Sequence, residues 1–203
     1  MAGPDWFRWL LTAMFLAVAA YCLARLVVAR HVSPRYLGCH RANDAAHGIM
    51  SLGMAVMSSP AGGPIPVAGW QAMFLVSTTW YLLAWWRQRA GDSVAEPIGW
   101  HGGGLHHVIA GVAMIYMLAA MSGGGHHMSA PWISGSHEVE LRAPVIGWFL
   151  AAYFLVHATV LGVRTWRKAV ARDGRLPAIL TAPRLAAGCQ VSMALGTCYM
   201  LVA

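Results

Sequence analysis

Six apolar stretches, most of them close to twenty residues long and fenced by charged residues or Gly/Pro clusters, limit what this chain can fold into. They are Trp6–Ala29, Asp44–Ser59, Val67–Trp86, Leu105–Ser122, Pro144–Thr165 and Ala182–Val202. Crossing the hydrocarbon of a bilayer takes about 20 apolar residues in helical form. Lipid offers the backbone no water, so such a segment must satisfy its own N–H and C=O groups as a helix. The expectation is an all-α, polytopic transmembrane bundle of about six spans, the second of them short. Pro60-Ala-Gly-Gly-Pro-Ile-Pro66 ends the second span and turns tightly into the third, because proline breaks the helical ladder and glycine permits a reversal. Asn43 or Asp44 suits the N-cap of the second span, and Pro144 suits the first turn of the fifth.

Composition supports this reading. Apolar residues make up 58% of the 203 and charged residues only 10%, against about 25% charged in soluble domains. Too few polar side chains remain to coat a water-facing core. Nothing polar divides the chain, so one domain over 1–203 is expected. The net charge of +7 does not point to nucleic acid, because the basic residues flank the apolar runs as a topology signal. Four cysteines, Cys22, Cys39, Cys189 and Cys198, form no C-x-x-C pair and are too scattered for a disulfide framework. Arg8 before the Trp9–Leu23 apolar run resembles the start of a signal peptide. The segment reads as a retained helix.

The same basic residues set the orientation. Arg25, Arg30, Arg35 and Arg41 follow the first span, Arg87 and Arg89 the third. Arg164, Arg167, Lys168, Arg172, Arg175 and Arg184 surround the loop after the fifth. Pro60–Pro66 holds no basic residue and the Ser122–Ala143 loop holds Arg142 alone. Cytoplasmic loops carry the excess of Lys and Arg, so both termini are expected outside the cytoplasm of a multi-pass plasma-membrane protein. The tryptophans Trp6, Trp9, Trp70, Trp85, Trp86, Trp100, Trp132, Trp148 and Trp166 lie near span ends and read as an interfacial belt.

Two spans echo each other. His47-Gly-Ile-Met50-Ser-Leu-Gly-Met54-Ala-Val-Met57 matches His107-Val-Ile-Ala-Gly-Val-Ala-Met114-Ile-Tyr-Met117, with methionines seven and ten residues after each histidine. Offsets of three, four and seven stack side chains on one helix face. Each span therefore carries a histidine at its cytoplasmic end and a thioether ladder above it, and the echo implies a parallel internal repeat of spans 2–3 and 4–5. Cys189, Met193, Gly196 and Met200 form a fainter third copy. His157, on the fifth span, is expected in the same layer, with Asp44 one turn below His47 and His106 pointing about 100° away from His107. Outside lies a glycine-rich loop with His126, His127 and Met128, followed by His137-Glu-Val-Glu140.

Thioether and imidazole together suit Cu(I), whereas Mg²⁺ and Ca²⁺ want oxygen donors that are nearly absent here. The candidate metal residues are thus His47, His106, His107, His157, Asp44, Met50, Met54, Met114, His126, His127 and Met128. Each has a plainer reading. Methionines fill gaps between helices, buried histidines satisfy interhelical hydrogen bonds, Asp44 is either an N-cap or the carboxylate that holds His47, and the outer loop is a solvated turn. Cys39-His40 is a short metal-competent pair on the cytoplasmic side. Ionisable groups inside a span are costly and face the interior or water, and the repeated spacing at a shared depth favours a site.

Asp44-x-x-His47-x-x-Met50-x-x-x-Met54, the His106-His107 pair and the span pattern resemble an actinobacterial family of integral membrane proteins, domain of unknown function 5134. The resemblance covers most of the chain. It implies a His/Met-bearing bundle in an actinobacterial plasma membrane and carries no activity or functional residues with it.

The expected function is copper binding or translocation within the membrane, with the methionines passing Cu(I) between the buried histidines and the outer loop. Exchangeable thioether sites suit passage, since an ion held too tightly cannot leave. One alternative is an electron carrier with haem b held between His47 and His107 or His157. Another is a non-catalytic accessory or assembly subunit of a larger membrane complex. No ATP-binding loop is present to drive pumping, and neither a nucleophile elbow nor H-E-x-x-H points to an enzyme.

Overall fold

The structure, a computed structural model, describes residues 4–29, 38–90, 104–122, 144–170 and 183–202. Among these the regular structure is helical throughout, with no β-strand. Helix α1 covers Asp5–Ala24 and closes in a π-helical stretch, Arg25–Ala29. It is followed by α2 (Gly38–Ser58), α3 (Val67–Arg89), α4 (Gly104–Ser122), α5 (Pro144–Val170) and α6 (Pro183–Val202).

Local chemistry fixes the ends. The Pro4 carbonyl accepts the Phe7 and Arg8 amides at 2.9 and 3.3 Å, and Asp5 places a negative charge at the positive end of α1. After α2, Ser59 Oγ accepts the Ala61 amide at 3.2 Å. Gly62 then turns the chain at φ 75°, a conformation that costs an L-residue about 1–2 kcal/mol. Helix α2 begins at Gly38, six residues before the expected start. Asp44 therefore lies within the helix and is not its N-cap. Helix α5 runs on to Val170, which leaves His157 near its middle rather than close to its cytoplasmic end.

Among the described residues three helices, over Asp5–Val28, Pro144–Thr165 and Leu185–Val202, are long and apolar enough to cross a membrane, and Leu105–Ala120 is a shorter apolar helix. The outer surface fits that setting. Val76, Phe149, Leu75, Val156 and Leu23 are each exposed by more than half, and an apolar exterior on this scale suits lipid rather than water. Trp6, Trp9, Trp86 and Trp148 are likewise exposed. Trp70 departs from the expected belt: it is 1% exposed and stacks on Phe74 in the core.

The helices pack mainly as consecutive pairs, α1 with α2, α3 with α4 and α5 with α6, and touch sparingly between pairs. In the first pair Arg8 Nη2 donates to the Ser59 carbonyl at 3.3 Å, and the Thr12 and Ser58 hydroxyls meet at 3.2 Å. At its other end Arg25 meets Asp44, so α1 and α2 run antiparallel. The second pair is close because residue 111 is glycine: a Cβ there would strike Thr78 Oγ1 and lie 3.1 Å from Thr78 Cβ. The common core of the three pairs is built from Phe15, Phe74, Phe154, Met54, Met114 and Leu118.

Candidate functional site

Four imidazoles from three helices lie side by side near the start of α4. His47 on α2 meets His107 on α4 edge to face, with ring centroids 4.7 Å apart at 64°. His106, the next residue, stacks flat on His157 of α5 at 3.8 Å and 10°. The two histidine pairs are joined at His106–His107, 5.9 Å centre to centre. His106 thus turns away from His107, as helix geometry requires, but α5 lies on that side and supplies a partner. The row His47–His107–His106–His157 takes at least one ring from each helix pair.

Aromatic and backbone groups hold the rings. Tyr81 of α3 packs on His107 at 4.7 Å and donates its hydroxyl hydrogen to the Ala42 carbonyl at 2.8 Å. Tyr153 Oη lies 3.2 Å from His106 Nδ1. The His47 ring is hydrogen-bonded to the Asn43 backbone one turn earlier, which leaves its Nε2 buried and without a protein partner. His107 is 1% exposed, and neither of its ring nitrogens has a hydrogen-bond partner. Buried polar atoms almost always have one. These nitrogens are therefore the most conspicuous unmet demand in the core.

Beside the row is a cavity of about 20 Å³, lined by His47, His106, Met50, Met54, Met114 and Met193, with Gln190 and Thr197 adding polar groups. That is room for one water or one ion of similar size. Ser51 Oγ donates to Met193 Sδ at 3.2 Å, which turns that sulfur toward a fixed direction. Asp44 lies one turn before His47, and its carboxylate is 3.3 Å from Arg25 Nε. Met57 and Met117 are buried farther along α2 and α4. His126, His127, Met128 and His137 lie outside the described residues.

The donor set decides which groups fit. Among the described residues no three His, Cys, Asp or Glu side chains converge as a metal site. A metal at the cavity would therefore rely on thioether sulfur as well as imidazole, the donor mix of a soft ion. A haem fits poorly. Axial imidazoles must leave a flat macrocycle between them, whereas His47 touches His107 and His106 stacks directly on His157.

Sequence reasoning placed His47, His107, Met50, Met54 and Met114 together and brought His157 to the same cluster. It gave no role to Arg25, Tyr81, Tyr153 or Gln190. The signal for Arg25 was available: an arginine inside the first apolar run and an aspartate opening the second are opposite charges on neighbouring spans.

A family model described as a domain of unknown function, DUF5134, matches residues 39–203. Uncharacterised proteins of Mycobacterium bovis (Mb0995) and Mycobacterium tuberculosis H37Rv (Rv0970) are each 27% identical to this chain over 115 residues. That stretch is 57% of this chain and 50% of theirs, so the chain spans about half the length of the curated relatives it matches. No solved structure matches.

Proposed function

The chain belongs to the DUF5134 family, and from the residues it gathers we propose that it binds Cu(I), or passes it, within the plasma membrane. The cavity carries the reading: His47 and His106 face Met50, Met54, Met114 and Met193 across a space the size of one ion. His47, which lines it, has its Nε2 buried and without a protein partner. Imidazole and thioether are neutral, polarizable ligands that hold Cu(I) and release it. Met57 and Met117 extend the sulfur donors along α2 and α4, toward the loop that carries His126, His127 and Met128.

In this reading all six helices cross the bilayer. Their lengths, from 19 to 27 residues, give about 28–40 Å at 1.5 Å per residue. Helices α2 and α3 are the less apolar ones, and packing against neighbours shelters their polar residues. The basic residues at the ends of α1, α3 and α5 put both termini outside the cytoplasm. The matching His-x-Ile and Met spacings of α2 and α4 then describe a parallel repeat.

The test is metal content with an absorption spectrum on purified protein, wild type and His47→Ala/His106→Ala. Wild type loaded with Cu(I) under reducing conditions is expected to retain it through gel filtration, and the double variant to lose it. Equal copper in both would remove the site. A Soret band in wild type would favour haem b instead, and stoichiometric partner proteins without metal would favour an accessory subunit.

A further inference from the structure

A serine or threonine inside a helix can turn its hydroxyl back to the carbonyl four residues earlier. Thr12, Ser58, Ser192 and Thr197 do so here, each at 2.8–2.9 Å. Ser51, wholly enclosed on α2, does otherwise. Its Oγ crosses to α6 and donates to Met193 Sδ at 3.2 Å, although a thioether is a weak acceptor. Met193 lines the cavity with His47, His106, Met50, Met54 and Met114, and its sulfur is held differently from that of Met54. Thr197 Oγ1 lies 3.7 Å from Met54 Sδ but 2.9 Å from the Met193 carbonyl. Its single hydrogen goes to the nearer and stronger acceptor. The Ser51 hydrogen goes to sulfur.

Resting on the metal reading above, we propose that Met193 is the anchoring sulfur ligand of the cavity and that Ser51 is its positioning residue. Methionine has three rotatable bonds, and a side chain that must be immobilised on binding subtracts from affinity. Met193 is immobilised before an ion arrives. Its sulfur has two lone pairs: the Ser51 hydrogen bond takes one and leaves the other for the ion. Ser51 does not itself ligate. It stands one turn beyond His47 on the same face of α2, so His47 and the sulfur that Ser51 holds reach the ion from adjacent turns. Met50, Met54 and Met114 complete the shell as the more exchangeable donors.

The experiment titrates Ag⁺ into the full-length chain in detergent. The proteins compared are wild type, Met50→Leu, Met54→Leu, Met114→Leu, Met193→Leu, Ser51→Ala and Ser51→Ala/Met193→Leu. Leucine nearly conserves the volume of methionine, so these variants lose sulfur and keep their packing. Met193→Leu should weaken binding more than the other three leucine variants. Ser51→Ala should weaken it about three- to tenfold, and should have no further effect once Met193 is leucine. Methyl resonances of ¹³C-labelled methionine, read without any ion, check the positioning directly. Ser51→Ala should shift the Met193 methyl toward the rotamer-averaged position, and an unmoved resonance overturns the proposal even where Met193→Leu binds no ion. Another methionine that outranks Met193 also overturns it, as does a Ser51→Ala loss that is absent or equal in both backgrounds. Wild type that binds no Ag⁺ removes the metal reading itself.

Discussion

His107 shows what the core tolerates for the sake of this cluster. Its ring is shut away from the surface with both nitrogens unpartnered, and a buried polar group left in that state costs about 1–3 kcal/mol. His107→Leu should therefore raise the stability of the metal-free protein by about 1–3 kcal/mol, read as a higher midpoint in thermal unfolding in detergent. A lower midpoint would mean that the ring has a stabilising partner. Tyr153→Phe probes the neighbouring imidazole, since it keeps the aromatic contact with His106 and removes the hydroxyl from Nδ1. Its Ag⁺ affinity should fall about tenfold, while stability changes by about 1 kcal/mol or less. Spacing made His47 and the methionines legible, because the three, four and seven pattern depends on one helix alone. The partners of His106 were not legible. Which helix lies beside it is a property of the assembled bundle, and His106–His157 is a contact between residues 51 positions apart.

Among the elements, α2 was read least well, and the reason is physical. Arg41 and Asn43 look like loop residues in a search for apolar runs, so the span appeared to start only at Asp44. In the fold the polar turn is helical, and the Asp44 charge is met by Arg25. The breaks at Pro60–Pro66 and Pro144 were legible because proline and glycine act through their own backbone, whatever surrounds them. The α3/α4 contact turns on another glycine. Gly111→Ala would force its Cβ against Thr78, and overpacking of this kind costs about 1–3 kcal/mol. Thermal unfolding should show that loss for Gly111→Ala and a partial recovery when Thr78→Ala is added. A fully additive pair would place the strain elsewhere.

For the whole molecule, the distribution of arginine leads to a test that involves neither metal nor histidine. Alkaline phosphatase fused after Ala203 should be active in cells and a fluorescent protein at the same position dark, because both termini are expected outside the cytoplasm. The opposite result would mean either an inverted bundle with both termini inside or an odd number of crossings. The pairwise packing has a further effect on how the molecule would respond to a guest. Within each helix pair the contact is long, and between pairs it is thin, yet the imidazoles and sulfurs around the cavity come from all three pairs. An ion lodged there would act as a rivet through the seams, so occupancy should slow amide exchange along α2, α4 and α6 together. Emptied, the three hairpins would be free to slide against one another.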